Sequence, residues 1–175
     1  IMNGYWNDPE ATNKTLIDGW IHTGDIGEFD EEQYLKITDR KKDIIVNAGG
    51  DNISPTKVEE KLNIEPEIAQ SMLYGDFKNY LVAIIVPDKE QAKAWAIKNN
   101  KTTNIKLIIE DKDYIKMIKE VTSKVNAKLS VIEQIRKFIL IDEEFTIEND
   151  MMTPTMKVKR FKVKNTFGDK LEKLY

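Results

Sequence analysis

The sequence predicts an α+β fold in which helices lie on a small sheet. Two kinds of signal predict it: strand-like runs such as "IAQSMLYG" and "YLVAIIVP", and helix starts such as "ISPTKVEE", interleaved from about residue 40 onward. Residues 1 to 30 differ. They are rich in Gly, Asn, Asp and Thr and read as loops joined by brief strands that could not bury themselves alone.

In chain order, "QYLKIT" alternates from Gln33 to Thr38, "DIIVNA" supplies a second strand, and "GGDN" carries turn chemistry after it. Ser54 is placed as an N-cap, Pro55 occupies the first helical position, and Ile53 can staple onto Val58. Next, "IAQSMLYG" and "YLVAIIVP" read as strands joined by a "DFKN" turn. Asp88 with Gln91 makes a capping-box pattern for a helix with Ala92, Trp95 and Ala96 on one side. Around residues 111 to 129, Tyr114, Ile118, Val121 and Val125 keep helical spacing. "RKFILID" reads as another strand. Finally Val163, Phe167, Leu171 and Leu174 keep helical spacing, with Gly168 as a candidate break.

The 175 residues suffice for one ordinary domain, or for a smaller domain with part of another attached. Lys and Arg number 27 against 30 Asp and Glu, a net charge of -3, which disfavours general polyanion binding. Charge is nevertheless segregated. Residues 151 to 175 hold seven basic and two acidic residues, a local +5, directly after "IDEEFTIEND" with five acids and no base. That contrast favours a focused anion site over a diffuse basic coat. Cysteine is absent and His22 is the single histidine, so disulfides, thiolate metal sites and multi-His sites are excluded. The longest apolar run falls far short of the roughly 18 residues of a membrane helix, and no signal peptide opens the chain, so a cytoplasmic protein is expected. An Ile rather than a Met at position 1 suggests a piece of something longer.

Three segments together, "GYWNDPEAT", "DGWIHTGDIGEFDEEQYLKITDRKKDIIVNAGGDNISPTKVE" and "MTPTMKVKR", resemble the adenylate-forming superfamily and, within it, the long-chain fatty-acid CoA ligases. Their order and spacing carry the resemblance over nearly the whole chain. It implies that residues 1–39 are the tail of a large N-terminal adenylation domain. Residues 40–175 are then a C-terminal lid, a small mixed sheet flanked by helices, with a hinge near Lys42. The family's phosphate loop and acyl pocket lie upstream of such a segment, so this chain alone is expected to be inactive, and the large domain is needed in cis or in trans. Fatty acid, ATP and CoA are the implied substrates. Mg2+ is expected with ATP, although no residue of this chain suggests itself as a ligand. Nucleic acid is not an expected partner, nor is an integral membrane segment expected; peripheral membrane association stays compatible.

The resemblance also assigns residues. Lys157 takes the lysine position of the family's C-terminal motif, where an ammonium lowers the repulsion between a carboxylate and the α-phosphate it attacks. By its local pattern alone, "KVKRFKVK" is a solvated edge strand or helix start. Asp25 is the implied ribose ligand, since a carboxylate accepts from both hydroxyls, and Arg40 the implied nucleotide contact. Without that context they are a turn residue and a loop charge. Lys42 marks the pivot, which needs only torsional freedom. Ala48, Gly49 and Gly50 have two compatible readings, a hairpin turn and a backbone that approaches the CoA pantetheine arm. A general-base role for His22 is declined, because a carboxylic acid at neutral pH needs none. Trp95 and Met117 read as core or interface rather than acyl pocket. One departure stands out: many superfamily lids have Gly before the catalytic lysine, and here Met156 precedes it, as in the fatty-acyl branch. The alternative to a ligase is a noncatalytic lid or CoA-binding module that docks a separate large domain.

Overall fold

The computed structural model describes residues 2–175; Ile1, the first residue of the expected tail, lies outside them. Contacts divide the chain into two compact units, one ending at Ile44 and one spanning Ile45–Tyr175.

The first unit opens with a helix where loops are expected. Helix α1, Pro9–Thr15, is started by Asp8, whose side chain accepts from the Ala11 amide at 2.9 Å, with Pro9 in the first turn. No residue of α1 is buried, so it lacks the apolar periodicity by which a helix is read from sequence. Strands β1 (Leu16–Ile17) and β2 (Trp20–Ile21) form a hairpin over Asp18 and Gly19, both left-handed at φ 51° and 80°, as a two-residue Asp-Gly turn requires. A second hairpin pairs β3 (Asp25–Phe29) with β4 (Leu35–Arg40), with a bulge between Ile26 and Gly27. Among the described residues of this unit only Asp39 is buried, while Trp6 and Trp20 are 92% and 76% exposed. Having no apolar core, the unit cannot be held together by hydrophobic burial of its own.

The second unit has the mixed sheet. A short hairpin, β5 (Ile45–Val46) with β6 (Asn52–Ile53), leads into α2, Pro55–Asn63. Ser54 caps α2 by accepting from the Lys57 amide at 3.3 Å, and Ile53 and Val58 are both buried, as the staple pattern predicts. Strand β7 (Ile68–Tyr74) pairs antiparallel with β8 (Leu81–Pro87), and β8 pairs parallel with β9 (Ile135–Leu140). The crossover between β8 and β9 holds α3 (Lys89–Lys98), α4 (Ile105–Ile108) and α5 (Lys112–Asn126). Helix α6, Arg160–Glu172, closes the chain.

Strand β8 is buried on both faces, which is why its sequence is continuously apolar rather than alternating. Leu81, Ala83 and Ile85 join a core with Val58 and Leu62 of α2, Ala92 of α3 and Ile118 of α5, against which Trp95 and Met117 also pack. Val82, Ile84 and Val86 point the other way, into a second core with Val163, Phe167 and Leu171 of α6 and the loop residues Met151 and Met152.

Gly168 does not break α6. The burial of Val163, Phe167 and Leu171 outweighs a glycine's propensity cost of about 1 kcal/mol. A Cβ there would meet only Lys164 Cγ, at 3.9 Å. Gly168→Ala should therefore stabilise the chain by about 0.5–1 kcal/mol, read as a higher urea midpoint with unchanged slope.

Candidate functional site

In the first unit, Asp25 and Arg40 are cross-strand partners at the open end of the β3–β4 hairpin. Arg40 Nε lies 2.8 Å from Asp25 Oδ1, and Arg40 Nη1 donates to the Thr23 carbonyl at 3.2 Å. The approach is framed by Gly24 at φ 72°, whose carbonyl accepts from the Lys41 amide at 2.8 Å. Two residues that sequence reasoning placed separately on a nucleotide are thus one preassembled pair. The guanidinium orients the carboxylate, and the Asp25 side chain remains 25% exposed. Lys42 lies in the turn that follows, closed by the Asp43 and Ile44 amides donating to the Arg40 carbonyl at 2.9 and 3.2 Å. Its side chain is exposed.

In the second unit, Ala48, Gly49 and Gly50 form the tip between β5 and β6. The Gly50 amide donates to the Asn47 carbonyl at 3.0 Å, and the Asn47 and Asp51 side chains close the loop with a 2.9 Å bond. Gly50 takes φ 85°, which an L side chain rarely adopts, so the hairpin-turn reading holds as geometry. The loop is fastened from outside: Ala48 donates to the Lys78 carbonyl at 3.0 Å and Phe77 to the Val46 carbonyl at 2.8 Å.

Lys157 sits on a different turn. Thr153 to Met156 make a turn closed by the Met156 amide on the Thr153 carbonyl at 2.9 Å, with Pro154 at its second position. Thr153 donates to the Lys157 carbonyl at 2.8 Å, and the Lys157 amide donates to Thr153 Oγ1 at 3.1 Å. Met152 bridges Val158. The result is a short hairpin with Lys157 just past its tip, exposed and, among the described residues, without an ion pair. Its neighbours are all engaged. Lys159 and Lys162 both bind Asp150, whose carboxyl they hold down at about 2, Lys159 contributing most. Arg160 binds Glu59 with both prongs, and Lys164 lies 5.1 Å over the Tyr74 ring. The three basic residues that follow Lys157 most closely, Lys159, Arg160 and Lys162, are therefore each held by a carboxylate, whereas Lys157 is not.

Sequence reasoning missed Glu59 and Arg160. Glu59 is 8% exposed on α2 between Val58 and Leu62, and it accepts from the Leu73 amide at 2.6 Å as well as from Arg160. A charged residue inside an apolar helical stripe was the available signal. Among the described residues no group of three or more His, Cys, Asp or Glu is placed to hold a metal ion. No helix of the described residues is long and apolar enough to cross a membrane.

Comparison with known proteins bears on this arrangement. The model of the AMP-binding enzyme C-terminal domain matches residues 42–175. Over its full length the chain is 39% identical to the long-chain-fatty-acid–CoA ligase FadD15 of Mycobacterium tuberculosis, of which it spans 30%. It is 37% identical to long-chain-fatty-acid–CoA ligase 1 of Homo sapiens, of which it spans 26%. Among solved structures, the adenylation domain of a carboxylate reductase from Mycobacterium chelonae superimposes with a TM-score of 0.83 at 28% identity, over 99% of this chain and 26% of that one. The corresponding domain from Segniliparus rugosus, solved in complex with AMP and a co-purified carboxylic acid, gives 0.79 at 26% identity, over 100% of this chain and 26% of that one.

Proposed function

Because the chain belongs to the AMP-binding enzyme C-terminal domain family, we propose that it serves as the lid portion of an ATP-dependent, AMP-forming long-chain fatty-acid CoA ligase. The observation that carries the reading is Lys157, exposed and unpaired at a hairpin tip while the cations around it are bound. Residues 1–39 are then the tail of the adenylation domain, residues 40–175 the lid, and the turn at Lys42 the pivot.

In the first step a fatty-acid carboxylate oxygen attacks the α-phosphorus of ATP, the bond to the pyrophosphate leaving group breaks, and acyl-AMP forms. Negative charge is crowded between two anions there, and the Lys157 ammonium offsets it where water is excluded. Asp25, oriented by Arg40, accepts from the ribose hydroxyls; Arg40 faces the nucleotide. In the second step the lid turns about Lys42. The CoA thiol then attacks the acyl carbonyl and AMP leaves, with the backbone of Ala48, Gly49 and Gly50 against the pantetheine arm.

The alternative, a noncatalytic module that binds CoA or docks a separate large domain, is favoured by the second unit's having two hydrophobic cores of its own. Pyrophosphate–ATP exchange separates the two. With an adenylation domain supplied in cis or in trans, fatty-acid-dependent exchange should appear, and the 175-residue chain alone should give none. Exchange unaffected by adding or omitting this chain would favour the module.

A further inference from the structure

We propose that the Arg160–Glu59 pair is a positioning device that aims Lys157 for the adenylation step and leaves the thioester-forming step untouched; the inference rests on the function proposed above. Arg160 is the first residue of α6 and follows Lys157 by three positions, immediately after the last bond of the hairpin, in which Lys159 donates to the Met151 carbonyl at 2.8 Å. Its Nη1 reaches Glu59 Oε1 at 2.8 Å and its Nη2 reaches Oε2 at 2.5 Å. Glu59 is itself fixed, since Oε1 also accepts from the Leu73 amide of β7. The guanidinium therefore ties the base of the hairpin to a point shared by α2 and the sheet.

The two arms of the hairpin are held differently. The incoming arm is anchored by Met151 and Met152, buried in the second core. The outgoing arm carries Lys157 and is anchored by Val158, half-buried against the same core and bridged to Met152, by Arg160, and by Lys159 on Asp150, a partly exposed pair that contributes less. Three residues separate Arg160 from Lys157, at most about 10 Å of chain, so a small rotation at Arg160 becomes a displacement on the ångström scale at the Lys157 ammonium. Misplacement of about 1 Å can cost about a hundredfold in rate. The glycine loop has separate fastenings. Val46 takes Asp76 Oδ1 at 3.2 Å, Ala48 takes the Lys78 carbonyl at 3.0 Å, and β5 pairs with β6, none of them through Arg160. The clamp thus serves one of the two chemical surfaces.

Arg160→Lys keeps the charge but loses the two-pronged fork. Joined to an adenylation domain, this variant should form acyl-AMP about 10- to 100-fold more slowly while converting supplied acyl-AMP to thioester within about twofold of the parent. In the chain itself, hydrogen exchange should quicken at the Lys157 and Lys159 amides and stay unchanged at Ala48 and Gly50. Equal loss in both steps, loss in neither, or equal quickening at both loops overturns the proposal. Should Arg160→Lys lose the fold, the pair Glu59→Gln with Arg160→Met keeps an acceptor for Leu73, removes both charges and is read in the same way. Lys157→Ala run in parallel separates the two levels: if it leaves adenylation intact, the functional reading has failed, and if it abolishes adenylation while Arg160→Lys shows no selectivity, only the clamp has.

Discussion

Lys157→Ala, in a chain joined to an adenylation domain, is expected to slow acyl-AMP formation by about 10²- to 10³-fold, the scale of removing one preorganised transition-state stabiliser. Thioester formation from supplied acyl-AMP should stay within about twofold of the parent, because the charge-crowded phosphoryl step is already complete. Stability gives the control. The interactions of Lys157 within the fold are backbone bonds to Thr153, so its side chain can be removed for less than about 0.5 kcal/mol. Loss of adenylation with an unchanged melting curve therefore reports chemistry rather than folding. Lys157→Arg refines the test: charge is kept, but a planar fork replaces a compact ammonium on a hairpin that sets its position. Partial recovery is expected. Loss of both half-reactions by the same factor in Lys157→Ala would contradict the proposed division of labour between the hairpin and the glycine loop.

Much of the second unit could be read from residues because local signals and packing agree there. Ser54, Pro55, Ile53 and Val58 mark the start of α2 by capping and stapling, and the structure uses all four. Asp88 accepts from the Glu90 and Gln91 amides at the start of α3, the N-cap half of the capping-box pattern. The first unit was harder. Helix α1 depends on Asp8 and Pro9 and buries nothing, so hydrophobic periodicity is blind to it. Long-range pairs are invisible for another reason: Glu59 and Arg160 are 101 residues apart, and one charged residue in an apolar stripe does not name its partner. Met156 shows the opposite case. The departure from glycine visible in the sequence falls on a residue at φ 61°, a left-handed conformation that costs an L side chain about 1–2 kcal/mol. The turn that presents Lys157 needs that conformation, which gives a physical account of why glycine is common there and what methionine tolerates in its place.

Glu59→Ala is expected to be the most destabilising of the substitutions considered, by about 3–5 kcal/mol, because it breaks a buried ion pair from one side. Three losses coincide. Arg160, with a side chain only 22% exposed, keeps its charge without the carboxylate that matched its fork. The Leu73 amide, in a residue 3% exposed, loses its 2.6 Å acceptor, worth about 1–3 kcal/mol when nothing replaces it. The burial of the side chain itself, in a residue 8% exposed, is lost as well. An exposed pair offers the contrast: Lys14–Glu10 on α1, 73% and 81% exposed, should change stability by less than about 1 kcal/mol when either partner is truncated. Urea unfolding of the chain reads both. Glu59→Gln should fall between the parent and Glu59→Ala, because an amide oxygen still accepts from Leu73 while the charged fork is lost. A Glu59→Ala loss below about 1 kcal/mol would mean that α2, β7 and α6 are held together by apolar packing alone. The hairpin carrying Lys157 would then have no need of its charged anchor.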